Sequence, residues 1–188
     1  MFNPLLVSTG TVALAEIGDK TQLLALLLAA RFRKPWPIVA GILLATLLNH
    51  ALAGWVGTLV AQWLTPQLLR WVVAASFLGI ALWTLKPDQL DKDEALPAHG
   101  AFIATVFAFF IAEIGDKTQV ATILLAAKYS PLWQVVAGTT VGMLLANVPV
   151  VVLGSRFAQK LPLKAARIIA ACVFLALGAW TLFAGLPN

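Results

Sequence analysis

Six long runs of apolar residues make up most of this 188-residue chain and restrict its possible folds more than any other feature. A helix that crosses the hydrocarbon core of a bilayer needs about 20 mostly apolar residues. Only 11% of the residues are charged, whereas a soluble domain carries about 25%. We therefore predict an all-α integral membrane protein with six transmembrane helices. Charge, proline and glycine bound the runs roughly at residues 4–30, 36–61, 68–85, 101–127, 132–154 and 165–184.

The second half of the chain repeats the first. The segment AEIGDKTQ at residues 15–22 recurs unchanged at residues 112–119, an offset of 97. The same offset aligns other identical residues without a gap, such as Trp83 with Trp180. The repeat predicts two three-helix units, residues 1–86 and 99–188, within one membrane domain. An acidic loop at residues 87–98 joins them.

The odd number of predicted helices in each unit has a topological consequence. After three crossings the chain begins its second unit on the opposite side of the membrane. The two units are therefore expected to be inverted repeats, related by a pseudo-two-fold axis in the membrane plane. Secondary transporters with this architecture hold their substrate near the midplane, between the repeats.

The distribution of lysine and arginine predicts the orientation. Loops after the first, third and fifth runs carry nine of these residues, and the loops on the other face carry two. The positive-inside rule places the first set in the cytoplasm with the acidic central loop. Both termini then lie outside, on the periplasmic face of a bacterial inner membrane. Because the basic residues serve as topology signals, the expected partner is the lipid bilayer and not nucleic acid. The sequence leaves open whether the protein forms a homodimer.

Four acidic residues lie inside predicted membrane helices. In the first run, Glu16 follows Pro4 by about twelve residues, which is roughly 18 Å along a helix and near the middle of a ~30 Å core. An aspartate at this depth costs roughly 2.5–3.5 kcal/mol before compensation, so intramembrane acids are candidate functional residues. The alternative is a purely structural set of ion pairs with nearby lysines. The four candidates are Glu16, Asp19, Glu113 and Asp116.

The spacing within each copy favours one joint site. Glu16 and Asp19 are three residues apart and are expected to share a helix face, while Glu16 and Lys20 have the spacing of a helical salt bridge. Gly18 and Gly115 permit close helix approach or a local unwinding. Inverted symmetry would bring both copies together at mid-membrane. Four carboxylates and two ammonium groups then leave a net charge of −2, which one divalent cation cancels.

The ligand types indicate the chemistry. Carboxylate, hydroxyl and amide oxygens suit Ca²⁺, Mn²⁺ or Mg²⁺. Carboxyl groups also bind protons, so metal arrival would release protons and drive cation/proton exchange; an inward proton gradient would then expel the cation. His50 and Asn147 align at the 97-residue offset and either complete the site, help to select Mn²⁺ over Ca²⁺, or form hydrogen bonds between helices. Possible auxiliary or gating residues are Lys20, Thr21, Gln22, Asn49, His50, Lys117, Thr118, Gln119 and Asn147.

The doubled Glu-x-Gly-Asp-Lys-Thr signature resembles the GDT family, the group of human transmembrane protein 165. Its Golgi, chloroplast and bacterial members are regarded as Ca²⁺/Mn²⁺ transporters that act as proton antiporters. The signature matches at every position, at residues 16–21 and again at residues 113–118. The resemblance implies a manganese exporter, with Ca²⁺ as the other possible cargo. No cofactor other than the transported ion is expected.

Three other functions are compatible with parts of the pattern. A similar scaffold could export an organic cation or an amino acid, although such a ligand needs an apolar pocket that this acidic motif does not provide. Asp19 and Asp116 could form the aspartate pair of an intramembrane protease, but that chemistry needs no repeated glutamate and lysine. A non-transporting assembly protein predicts that Glu16→Gln has no effect. The expected function is therefore a transporter and not an enzyme.

Overall fold

The computed structural model describes residues 3–87, 100–154 and 161–184, and within these ranges the chain forms helices and no strands. The all-α prediction is confirmed. Residues 88–98 of the predicted acidic loop and three of the basic loop residues, Lys92, Arg156 and Lys160, lie outside the described ranges. The helices are α1 (Pro4–Glu16), α2 (Lys20–Phe32), α3 (Pro35–Trp63), α4 (Pro66–Thr84), α5 (Ala101–Glu113), α6 (Lys117–Lys128), α7 (Leu132–Leu153) and α8 (Leu163–Ala184).

Four of these helices, α3, α4, α7 and α8, are long and apolar enough to cross a membrane. The first and fourth predicted helices are not continuous, which corrects the expectation from the apolar runs. Each divides at the acidic motif, into α1 and α2 and into α5 and α6. Gly18 has a φ of 83° and Gly115 a φ of 73°, in the left-handed region that glycine adopts without a Cβ clash. The helical hydrogen-bond ladder therefore stops and restarts at each motif.

The 97-residue repeat extends to the first residue of each helix. Helices α5, α6, α7 and α8 begin 97 residues after α1, α2, α3 and α4, respectively. Proline occupies the first position of α1, α3 and α4, where its missing N–H has no helical partner to lose. The equivalent helices of the second half begin at Ala101, Leu132 and Leu163, so the starts coincide although these prolines are not repeated.

The two halves pack against each other through equivalent surfaces. Helix α1 lies mainly against α7, and α5 packs closely against α3. A Cβ added to Gly138 would lie 2.5 Å from the carbonyl oxygen of Leu5, and one added to Gly41 would lie 2.9 Å from that of Phe102. Gly41 and Gly138 are 97 residues apart, as are Leu5 and Phe102. The same glycine-dependent contact is therefore made twice.

Helices α4 and α8 form a further contact between the halves. Phe77 and Phe174, again 97 residues apart, stack with ring centroids 6.2 Å apart. Large apolar side chains such as Trp36 and Phe183 are exposed on the outside, whereas many polar side chains are buried inside. This distribution is typical of a protein whose outer surface faces lipid.

Candidate cation-binding site

Each helix break places two acids at the junction of two helices. Glu16 is the last residue of α1, and Asp19 caps the N-terminus of α2 by accepting a 3.4 Å hydrogen bond from the Thr21 N–H. The Asp19 N–H donates to the Glu16 carbonyl oxygen over 3.0 Å. The second copy has the same backbone turn, with a 3.1 Å hydrogen bond from the Asp116 N–H to the Glu113 carbonyl oxygen, but the Asp116 side chain makes no capping hydrogen bond to α6. The prediction that Glu16 and Asp19 share a helix face is therefore wrong, because the left-handed Gly18 interrupts the helix between them.

A glutamine side chain stabilises the unwound segment at each helix break. Gln22 accepts a 2.9 Å hydrogen bond from the Gly18 N–H and donates one of 2.9 Å to the Ala146 carbonyl oxygen on α7. Gln119 accepts a 2.8 Å bond from the Gly115 N–H and donates to the Asn49 side-chain oxygen on α3. Both glutamines thus use their amide groups to tie an unwound segment to the opposite half.

Three carboxylates from the two motifs converge. One oxygen each from Glu16, Asp19 and Asp116 lie within 4.8 Å of one another. All three residues are buried. Oxygens that bind Ca²⁺ lie about 2.3–2.6 Å from the ion, so two of them on one ion are at most ~5.2 Å apart. The separation therefore fits a single hard cation among three carboxylates.

The lysines of the two motifs pair crosswise. The Lys117 ammonium contacts the Asp19 carboxylate, and the Lys20 Nζ lies 3.5 Å from Asp116 Oδ1. The expected helical salt bridge between Glu16 and Lys20 is not the arrangement seen, since the helix ends between these residues. Each lysine instead reaches the aspartate of the opposite copy, so the two motifs form one electrostatic unit.

The motif threonines contact the glutamates. Thr21 Oγ1 donates to Glu16 Oε2. Thr118 Oγ1 lies 3.1 Å from Glu113 Oε2 and 3.2 Å from Asp116 Oδ2. Both hydroxyl groups are buried and hold the carboxylates in fixed positions at the helix junctions.

The polar residues of the long helices α3 and α7 surround this unit. Asn49 donates a 3.3 Å hydrogen bond to the Phe110 carbonyl oxygen, in addition to its contact with Gln119. His50 is fully buried, with its Nε2 4.0 Å from Glu113 Oε2. Asn147 donates to the Met143 carbonyl oxygen over 3.1 Å. The structure thus brings Asn49 and His50 against the second motif, whereas the hydrogen bond of Asn147 is to Met143 on its own helix.

Comparison with known proteins bears directly on this arrangement. The family model described as divalent cation/proton antiporter GDT1 matches residues 4–92 and again residues 101–188. The chain belongs to the GDT1 family. Membership makes it a membrane transporter that exchanges a divalent cation for protons, and each half of the chain matches the family separately.

Relatives in the GDT1 family cover almost the whole chain. A Vibrio cholerae protein named "Putative manganese exporter" is 57% identical over 95% of this chain and 90% of its own length. A GDT1-like protein of Synechocystis is 29% identical over 87% of this chain and 88% of its own. GDT1-like protein 5 of Arabidopsis thaliana is 28% identical, covering 88% and 89%. No solved structure shows a significant match.

Three features of this GDT1 site are absent from the sequence-based expectations. They are the crosswise lysine pairs, the glutamine ties to Ala146 and Asn49, and the position of Glu113 beside His50. The repeat itself was a usable signal for the glutamine ties, because residues 49 and 146 are 97 apart, as are Gln22 and Gln119. Nothing local in the sequence indicates the lysine crossing, which depends on how the two halves meet.

Proposed function

We propose that this GDT1 protein exports Mn²⁺ from the cytoplasm in exchange for protons, with Ca²⁺ as the second possible cargo. The observation that carries the proposal is the convergence of Glu16, Asp19 and Asp116, one oxygen each within 4.8 Å. We assign these three carboxylates as ligands and Glu113 as the fourth acid of the site. Hard oxygen ligands suit Mn²⁺ and Ca²⁺, and the name of the Vibrio relative favours manganese.

Charge balance supplies the reason for exchange. Four carboxylates and two lysines carry a formal charge of −2, which either one divalent cation or two protons neutralise. A site inside the membrane is costly to hold charged. The protein therefore changes the side of the membrane to which its site opens only when the site holds a metal ion or protons. It does not change when the site holds neither. This predicts two protons exchanged for each divalent cation.

We propose six crossings, with α1–α2 and α5–α6 each forming one interrupted span. The equivalent helix starts and the doubled Gly41 and Gly138 contacts support two halves related by a pseudo-two-fold axis. The halves are residues 1–86 and 99–188, inverted in a bacterial inner membrane with both termini outside. The loop at 87–98 then lies in the cytoplasm, as the bias of lysine and arginine favours. Broken helices at a mid-membrane site are typical of transporters built this way.

Flux measurements in proteoliposomes test the site. An acidic vesicle interior should accelerate Mn²⁺ uptake, and collapse of the pH gradient with an ionophore should remove the acceleration. Glu16→Gln, Asp19→Asn and Asp116→Asn should each abolish uptake. Ser8→Ala is the matched control, since Ser8 is a buried polar residue on α1 outside the site.

The same assay separates the other functions. Undiminished uptake in the three carboxylate variants would overturn the site assignment. An assembly protein would show no metal flux in the unaltered chain. An exporter of organic cations would transport such a compound in competition with Mn²⁺, which the small carboxylate cluster does not favour.

A further inference from the structure

Glu113 stands apart from the other three acids. The carboxylate group whose oxygens converge consists of Glu16, Asp19 and Asp116, without Glu113. Glu113 is fully buried, and its Oε2 accepts from Thr118. Its Oε1 has no hydrogen-bond partner among the residues that the structure describes. A fully buried carboxylate oxygen without a partner indicates a ligand, because leaving it unsatisfied is costly.

His50 faces the same acid from α3 with both ring nitrogens unused. Its side chain is fully buried, and neither Nδ1 nor Nε2 has a hydrogen-bond partner in the described part of the chain. The Nε2 lies 4.0 Å from Glu113 Oε2, which is too long for a hydrogen bond. Zn²⁺, for example, binds an imidazole nitrogen at about 2.0–2.1 Å and a carboxylate oxygen at about 2.0–2.2 Å, so one ion shared by both spans up to ~4.3 Å.

We propose that His50 and Glu113 form a second cation subsite, beside the three-carboxylate group, that selects a transition metal. The inference rests on the proposed function and adds the residue that distinguishes Mn²⁺ from Ca²⁺ and Mg²⁺. Mn²⁺ shares with Ca²⁺ and Mg²⁺ a preference for oxygen ligands, but as a first-row transition metal it also binds nitrogen ligands, whereas Ca²⁺ and Mg²⁺ take oxygen ligands. The nitrogen donor therefore gives Mn²⁺ an interaction that the other two ions lack.

The other half of the protein has no such donor at the equivalent position. Residue 147, which is 97 residues after His50, is an asparagine. Asn147 is fully buried, its Oδ1 has no partner in the described ranges, and its Nδ2 donates to Met143. An amide oxygen is a hard ligand that does not discriminate against Ca²⁺. Selection by nitrogen is thus confined to the half that contains α3.

Pulsed electron paramagnetic resonance of Mn²⁺ bound to the unaltered protein provides the direct test. A nitrogen ligand from His50 produces a nitrogen modulation in the Mn²⁺ signal. His50→Asn installs the side chain that the other half already carries at this position and should remove the modulation. It should also lower the ratio of Mn²⁺ to Ca²⁺ uptake by about tenfold, the scale of losing one interaction in a metal site.

Thr46→Val is the matched control, because Thr46 is a buried polar residue one turn from His50 on the same helix. It should keep both the modulation and the uptake ratio. Mn²⁺ that binds and is transported without a nitrogen modulation would overturn the subsite and leave the proposed function intact. An unchanged ratio of Mn²⁺ to Ca²⁺ uptake in a folded His50→Asn protein would also overturn the subsite and leave the proposed function intact. Absence of Mn²⁺ uptake by the unaltered protein would overturn both the subsite and the proposed function. The resonance measurement decides even if His50→Asn fails to fold.

Discussion

The ammonium of Lys117, from the second motif, contacts the carboxylate of Asp19, from the first. The reciprocal pair is looser: Lys20 Nζ lies 3.5 Å from Asp116 Oδ1, with the Lys20 side chain 25% exposed and that of Lys117 2% exposed. The two repeats are therefore equivalent in sequence but unequal in this conformation, as expected for a transporter with one side of its site more open than the other.

This inequality predicts different effects for the two lysines. Lys117→Gln removes the buried ammonium that contacts the buried Asp19 carboxylate and should lower the free energy of unfolding by about 3–5 kcal/mol. Lys20→Gln removes a partly exposed pair and should cost at most about 1 kcal/mol. Unfolding in detergent, with and without Mn²⁺, measures the loss of stability in both lysine variants. Mn²⁺ should stabilise the Lys117→Gln protein more than the unaltered one, because the ion replaces the missing positive charge. Equal losses in the two variants would contradict the asymmetry.

The two motif glycines should respond differently to alanine. Both have positive φ, so each substitution should cost roughly 1–2 kcal/mol of stability. A Cβ on Gly18 would also lie 2.9 Å from Leu163 Cδ2, whereas one on Gly115 has no neighbour within 4 Å. Gly18→Ala should therefore be the worse variant, and Leu163→Ala should relieve only that additional loss. Thermal unfolding of the single and double variants checks this, and rescue of Gly115→Ala by Leu163→Ala would count against the packing described.

The glycines between the halves set how closely the helices approach. Gly138→Ala would place a Cβ 2.5 Å from the Leu5 carbonyl oxygen, and backbone cannot move aside as a side chain can. It should destabilise the protein by about 1–3 kcal/mol and reduce Mn²⁺ flux. Gly79→Ala, with no atom within 4 Å of the new Cβ, is the control and should be neutral or stabilising by up to about 1 kcal/mol. A harmless Gly138→Ala would show that α1 and α7 are not in close contact.

Cysteine labelling tests the proposed topology. In a Cys172→Ala background, an impermeant thiol reagent added outside intact cells should label cysteines at positions 67 and 130 and leave those at 34 and 164 unlabelled. Gln67, Ser130, Lys34 and Lys164 are all exposed, so accessibility depends only on the side of the membrane. Permeabilised cells, in which all four should react, provide the control. Labelling of position 34 from outside would reverse the orientation.

Much of the architecture was predictable from the sequence because it depends on local or repeated signals. Apolar runs indicated the helices, and charge, proline and glycine bounded them. The offset of 97 residues by itself relates α1 to α5 and α3 to α7. The acids were recognisable as site candidates from the cost of a carboxylate in lipid. Continuous helices through Glu16 and Glu113 were the error, whereas the local unwinding that Gly18 and Gly115 permit is what the structure shows.

The composition and the repeat by themselves determined that the chain is helical, membrane-embedded and built from two copies of one acidic motif. Only the tertiary structure decided that Lys117 pairs with Asp19, that three acids converge without Glu113, and that His50 faces Glu113 instead. The physical reason is that sequence spacing specifies geometry within one helix. Distances between residues of different halves depend on how closely separate helices pack at their glycines. They also depend on the direction that the chain takes after each helix break.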